Sequence, residues 1–296
     1  MRRRFLIASL ILALSCAAVP VLRAQQDVFF QHLTVKDGLS QGSVMCMLQD
    51  AKGFLWIGTQ DGLNRYDGYE FRVYKHDPVD TASLNDNFIL FMAQDAQGAL
   101  WFGTLGNPDL LDRFDPTTGK FTHARRADVN LTGATIGESK ASCIDPAGVV
   151  WSAKPGGGLS RVDPKTGASK VYTHDPAVRG SLIDNKVYCV VSDRTGKLWI
   201  STRGGLEQYE PRTDTFRHYL HDESNPRSIS DNFVWPLLVD RQGTLWIGSF
   251  IGGLNRYDRE TDDFTRFRHD ESNPRSLSSE VLYSLSQDAS GMIWVG

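Results

Sequence analysis

The fold is decided by Asp240-Arg241-Gln242-Gly243-Thr244-Leu245-Trp246-Ile247-Gly248-Ser249, because the chain writes this frame six times. Its counterparts open at Asp50, Asp95, Asp145, Asp193 and Asp288. Their glycines are Gly53, Gly98, Gly148, Gly196 and Gly291, and their tryptophans Trp56, Trp101, Trp151, Trp199 and Trp294. Successive tryptophans stand 45, 50, 48, 47 and 48 residues apart. A period of roughly 40–50 residues with β-rich units is the signature of propeller blades.

One unit, Ser43 to Asp77, predicts four short strands: Val44–Gln49, Phe54–Thr59, Leu63–Tyr66 and Tyr69–Tyr74. The turns between them, Asp50-Ala51-Lys52-Gly53, Asp61-Gly62 and Asp67-Gly68, use Asp to bond the backbone and Gly to take positive φ. Such short connections make neighbouring strands antiparallel. A lone sheet would leave an apolar face wet, whereas radial stacking buries both faces, with the repeat tryptophan filling the gap between blades. The reading is therefore all-β: a β-propeller of four-stranded antiparallel blades, about six repeats, the last incomplete.

The inner strands are expected near Val44, Phe88, Ser139, Val187, Phe233 and Val281. The second unit is degenerate, with an insertion at Gly106 to Asp112 and no Ser-Leu-Asp-Asn return between Ala127 and Ser139. Phe29 to Thr34 has the character of an outer strand completing the last blade. The sixth unit supplies only two strands before Gly296. That predicts a missing third strand and an open or strained ring with an unpaired edge, prone to self-association.

The histidines also follow the period. His76, His174, His221 and His269, each followed by Asp, stand 20 to 23 residues beyond their tryptophans and are expected to cap strand ends. Loops such as Ser83-Leu84-Asn85-Asp86-Asn87 then return the chain to the next inner strand. Rotation about the axis separates these groups, so no metal site is expected. Arg65, Arg113, Arg161 and Arg256 share one repeat position, which favours structure over catalysis. No catalytic residues, cofactor or phosphate-cradling glycine loop are predicted. Cys46, Cys143 and Cys189 are read as small buried hydrophobes, without a disulfide framework.

Arg2, Arg3 and Arg4, then Phe5 to Leu14 and Leu22-Arg23-Ala24, read as a signal peptide over 1–24, leaving 25–296 as the propeller. An uncleaved anchor, lipid attachment at Cys16 and twin-arginine export are the competing readings. Beyond residue 24, 28 basic residues face 35 acidic ones, which argues against a nucleic-acid or anionic-membrane partner.

The frame Asp-x-x-Gly-x-Leu-Trp-Ile-Gly-Thr, a turn, then Gly-Leu-Asn-Arg-Tyr-Asp is nearly complete at Asp50 to Asp67 and Asp240 to Asp258. Together with Leu33-Thr34-Val35-Lys36-Asp37-Gly38-Leu39-Ser40 it resembles the two-component regulator propeller family, over about residues 28 to 296. Trp151-Ser152-Ala153-Lys154 departs from the pattern, as do Ser201 and Ser249. The resemblance implies a truncated periplasmic sensor region of a two-component sensor, inner-membrane anchored in its parent. It also implies an output domain on a longer parent chain, a histidine kinase, hybrid kinase or diguanylate cyclase. The ligand it implies is small, with an oligosaccharide as the candidate. A scaffold for protein partners and a polysaccharide lyase or hydrolase are the alternatives. By blade geometry, ligand would meet Gln60, Asn87, Asn185, Arg203, Asn232 and Phe250 on one face.

Overall fold

The computed structural model describes residues 28–129, 135–137, 141–154 and 157–296, with backbone alone at 135–137; the expected signal peptide lies outside the described residues. Blade one is β1 (Val44–Gln49), β2 (Leu55–Thr59), β3 (Gly62–Tyr66) and β4 (Phe71–Tyr74). Blade two is β5 (Ile89–Gln94), β6 (Leu100–Thr104), β7 (Leu110–Asp115) and β8 (Lys120–Arg125), with β9 (Thr135–Gly137) added to the inner edge of β5. Blade three is β10 (Ser142–Ile144), β11 (Val150–Ala153), β12 (Leu159–Val162) and β13 (Ser169–Tyr172). Blade four is β14 (Val187–Ser192), β15 (Leu198–Thr202), β16 (Leu206–Glu210) and β17 (Thr215–Tyr219). Blade five is β18 (Val234–Val239), β19 (Leu245–Ser249), β20 (Leu254–Asp258) and β21 (Asp263–Phe267). The sixth unit contributes β22 (Leu285–Gln287) and β23 (Ile293–Val295). Each blade is a consecutive antiparallel meander, as the short turns require.

The repeated Asp works harder than its turn. One carboxylate oxygen of Asp50 accepts the backbone N–H groups of Lys52 and Phe54, and the other accepts Trp56 Nε1–H at 2.8 Å. The same indole bond recurs from Trp101, Trp151, Trp246 and Trp294 at 2.8–2.9 Å, and from Trp199 at 3.4 Å. Asp and Trp six residues apart are therefore one device: a buried indole keeps its only donor satisfied while filling the space between sheets. Trp56, Trp151 and Trp199 are fully buried.

The histidine loops are built as expected. The Nδ1 atoms of His76, His174, His221 and His269 lie 2.6–2.8 Å from the carbonyl oxygens of Leu84, Leu182, Ile229 and Leu277. Those four side chains are buried plugs beneath the return loops. Cys46 and Cys189 are buried, and burial pushes the Cys46 thiol up to about 12.

Two expectations are corrected. The third and sixth inner strands begin at Ser142 and Leu285, a few residues after the expected starts near Ser139 and Val281. The strand Thr135–Gly137 before β10 pairs with β5 instead, where blade two lacks the usual return loop. The ring is also not open, because its inner strands close it. Ser284 Oγ donates to Val44 O at 2.9 Å, Ala289 N donates to Gln49 Oε1 at 2.6 Å, and the Trp294 ring meets Tyr66 edge-on at 6.2 Å. Phe29 to Thr34 forms no ladder, because β23 pairs with β22 alone among the described strands. It lies instead along blade five, with Phe30 N bonded to Arg275 O at 2.9 Å.

Candidate functional site

The first strands of blades one, two, four and five share an irregularity. Register slips between Val44 and Cys46, Ile89 and Phe91, Val187 and Cys189, and Val234 and Leu237. A bulge leaves a residue out of the ladder and re-aims its side chain. The released residues are Met45, Leu90, Tyr188, and Trp235 with Pro236. All but Pro236 stand eleven residues before a repeat tryptophan, and Tyr283 holds that position in the sixth unit.

In blades four to six this position is aromatic, and the rings gather. Tyr188 stacks on Trp235 at 4.8 Å with 12° between planes, and Phe233 stacks on Phe250 at 4.8 Å. Tyr188 and Phe233 lie 5.4 Å apart. Tyr283 stands edge-on to both Trp235 at 5.8 Å and Phe250 at 6.1 Å. These five rings are half-buried, unlike the fully buried Trp199 behind them. They form an aromatic crescent where the second strands end and the first strands begin. Burial raises the Tyr188 hydroxyl above its ordinary value, with Arg203 opposing and Asp184 reinforcing that shift. The Tyr188 phenol is thus neutral at physiological pH, with a cation and a carboxylate beside it.

Of the residues expected on this face, Phe250 belongs to the crescent. Arg203 and Gln60 hold the same blade position as Phe250, directly after the second strand, and both are exposed. Arg203 N donates to Lys186 O at 3.2 Å, while Gln60 Nε2 lies 3.9 Å from Met45 Sδ. Asn87, Asn185 and Asn232 each accept the backbone N–H of the preceding loop histidine, all at 2.7 Å. Their side-chain oxygens are spent on the repeat. Tyr188, Phe233, Trp235 and Tyr283 were not among the face residues expected from the sequence. The signal was the position eleven before each framed tryptophan, where residue type varies against a constant background.

The buried carboxylates lie elsewhere and hold loops. Asp112 accepts Asn85 N at 2.9 Å and pairs with His123 Nδ1 at 2.6 Å; burial nonetheless raises its pKa. Glu207 accepts Ile183 N at 3.2 Å, with His218 Nε2 at 3.5 Å, and burial pushes its carboxyl up to about 8. Asn64 and Asn255 make the equivalent contact to Ser40 N and Ser230 N in blades one and five. Among the described residues no group of three or more His, Cys, Asp or Glu side chains is placed to hold a metal ion.

Four segments, 38–61, 83–106, 181–204 and 228–250, match the model of the family described as two component regulator propeller. Histidine kinase P4 of Formosa agariphila is 48% identical over 65 residues, a stretch covering 22% of this chain and 5% of that kinase. Among solved structures, the extracellular domain assigned to the hybrid two component system BT3049 of B. thetaiotaomicron superposes with a TM-score of 0.59 at 23% identity. That match covers 91% of this chain and 40% of the other. The corresponding domain of BT4673 gives 0.50 at 19% identity, covering 91% and 38%. At these identities the likeness speaks for the fold, and the chain spans less than half the length of each of these relatives. Four repeats of the two component regulator propeller family are thus set into one ring of blades in this chain.

Proposed function

We propose that this propeller is the periplasmic ligand-sensing region of a two-component sensor, and that the crescent of Tyr188, Phe233, Trp235, Phe250 and Tyr283 is its platform for an oligosaccharide. The observation that carries the reading is that these rings are only half-buried and lie outside the inter-blade cores. Pyranose rings present an apolar C–H face and a hydroxyl rim. Aromatic side chains offer the matching apolar face at low conformational cost. Tyr188 and Arg203 supply polar groups at the margin for the hydroxyls. The matched repeats of a family of regulator propellers, and the fold shared with extracellular domains of two-component sensors, support the sensing role. The repeated histidines and asparagines already serve the backbone, and the buried Asp112 and Glu207 hold loops. Binding without turnover is accordingly the role assigned to this chain.

Calorimetric titration with a panel of neutral and acidic hexasaccharides tests this. A binder should appear, and Trp235→Ala should weaken it by about tenfold or more while melting stays close to wild type. A binder whose affinity is unchanged in both Trp235→Ala and Phe250→Ala would overturn the assignment of the site.

A further inference from the structure

The seam between blades one and two has most of a clasp but lacks its carboxylate. Where blade three meets four, and four meets five, a fourth-strand tyrosine donates its hydroxyl to an aspartate of the next blade. These bonds are Tyr172 to Asp214 at 2.6 Å and Tyr219 to Asp262 at 2.8 Å. A cation two residues before each tyrosine, Lys170 or Arg217, pairs with the same carboxylate. Tyr74 holds that place in blade one, opposite Leu63 as Tyr172 is opposite Leu159 and Tyr219 opposite Leu206. Its ring is set as theirs are, 5.8 Å from Trp56 and edge-on to Phe121 at 5.7 Å. Arg72 lies over it, 5.3 Å from the ring centre, as Arg217 lies over Tyr219 at 4.8 Å.

The place of the aspartate is taken by Gly119, with φ 72° against 57° at Asp214 and Asp262. Tyr74 is 8% exposed, yet its hydroxyl has no hydrogen-bond partner among the described residues. Burial raises that hydroxyl above its ordinary value, opposed by Arg65 and Arg72, so two guanidinium groups lie close to a neutral donor. A buried donor without an acceptor is costly, and a carboxylate accepting from both a phenol and a guanidinium removes that cost. There is room for one. A β-carbon on Gly119 would lie 3.3 Å from Arg72 Nη2, and otherwise within 4 Å of nothing beyond its chain neighbours. Phe114 stands where Tyr209 and Tyr257 supply a second hydroxyl, so one side of the place is apolar. We propose that Tyr74, Arg72 and Gly119 form a binding site for a small free monocarboxylate, formate or acetate in size. One carboxylate oxygen accepts from the Tyr74 hydroxyl and the other pairs with Arg72, completing the clasp without a covalent tether. Bound anion thereby staples blade one to blade two.

The test melts the full chain in sodium formate or sodium chloride at matched ionic strength. Formate should raise the melting temperature saturably, half-maximally on the order of 10 mM, beyond any effect of chloride. Tyr74→Phe should abolish the formate-specific rise and still fold, since Phe267 occupies the same place in blade five. Gly119→Asp should raise the melting temperature in chloride and leave formate without further effect, because the tethered carboxylate fills the site. A wild-type chain with no saturable, formate-specific rise would overturn the proposal. So would an equal rise in Tyr74→Phe or in Gly119→Asp.

Discussion

The seam between blades four and five and the seam between blades two and three start from the same frame and end differently. In the first, Trp199 is fully buried against Tyr219 at 5.4 Å and Tyr257 at 4.8 Å. Behind it, Asp262 accepts hydroxyl hydrogens from Tyr219 at 2.8 Å and Tyr257 at 2.7 Å and pairs with Arg217. Asp262 takes φ 57° to do so, a left-handed conformation that Gly119 and Gly167 occupy at the same turn of blades two and three. The backbone cost at Asp262 is offset by a clasp that spans two blades. In the second seam, Trp101 is half-buried, and the third-strand position that would face it is Val162, itself 36% exposed. Its indole still donates to Asp95 at 2.8 Å. The Asp–Trp bond is local and survives wherever the frame is written. Tight packing needs the aromatic partner and the clasp from the neighbouring blade.

The largest test of that contrast is paired truncation. Trp199→Ala should cost about 3–5 kcal/mol, the range for emptying a large buried site. Trp101→Ala should cost about 1–2 kcal/mol, because part of that ring is already in water. Chemical denaturation of both variants measures the difference, and equal losses would show that the two seams are packed alike.

A smaller effect separates blade four from blades one and five, where Asn64 and Asn255 stand in place of Glu207. Burial raises the Glu207 carboxyl to about 8 from 4.5, so the folded state holds a proton that the unfolded chain releases. That group's contribution is greatest below about pH 4.5. It is lost as pH rises towards 8, at up to about 1.4 kcal/mol per pH unit. Glu207→Gln keeps an acceptor for Ile183 N and removes the charge. It should raise the melting temperature at pH 8 and leave it nearly unchanged at pH 4.5. A gain equal at both pH values would contradict the buried-charge account.

The ring was legible in sequence because its determinants are short-range. Asp240 and Trp246 find each other within one hairpin, and His221 and Ile229 within one loop. The face was not. A residue of an inner strand points into the core or out of the mouth according to a one-residue bulge, and alternation alone places Tyr188 and Trp235 on no particular side. Asn87, Asn185 and Asn232 sit in the right loops, yet the loop histidines' N–H groups claim their oxygens. Closure of the ring was equally hidden, because Ser284 and Val44 meet across 240 residues.

The measurement closest to the central claim is hydrogen exchange on the full chain with and without the tightest-binding hexasaccharide. Ligand should slow exchange at residues 187–188, 233–235, 250–252 and 283, leaving the buried seam around Trp199 as it was. Slowed exchange confined to the outer strands or to blades one to three, with the mouth of blades four to six unaltered, would contradict the account.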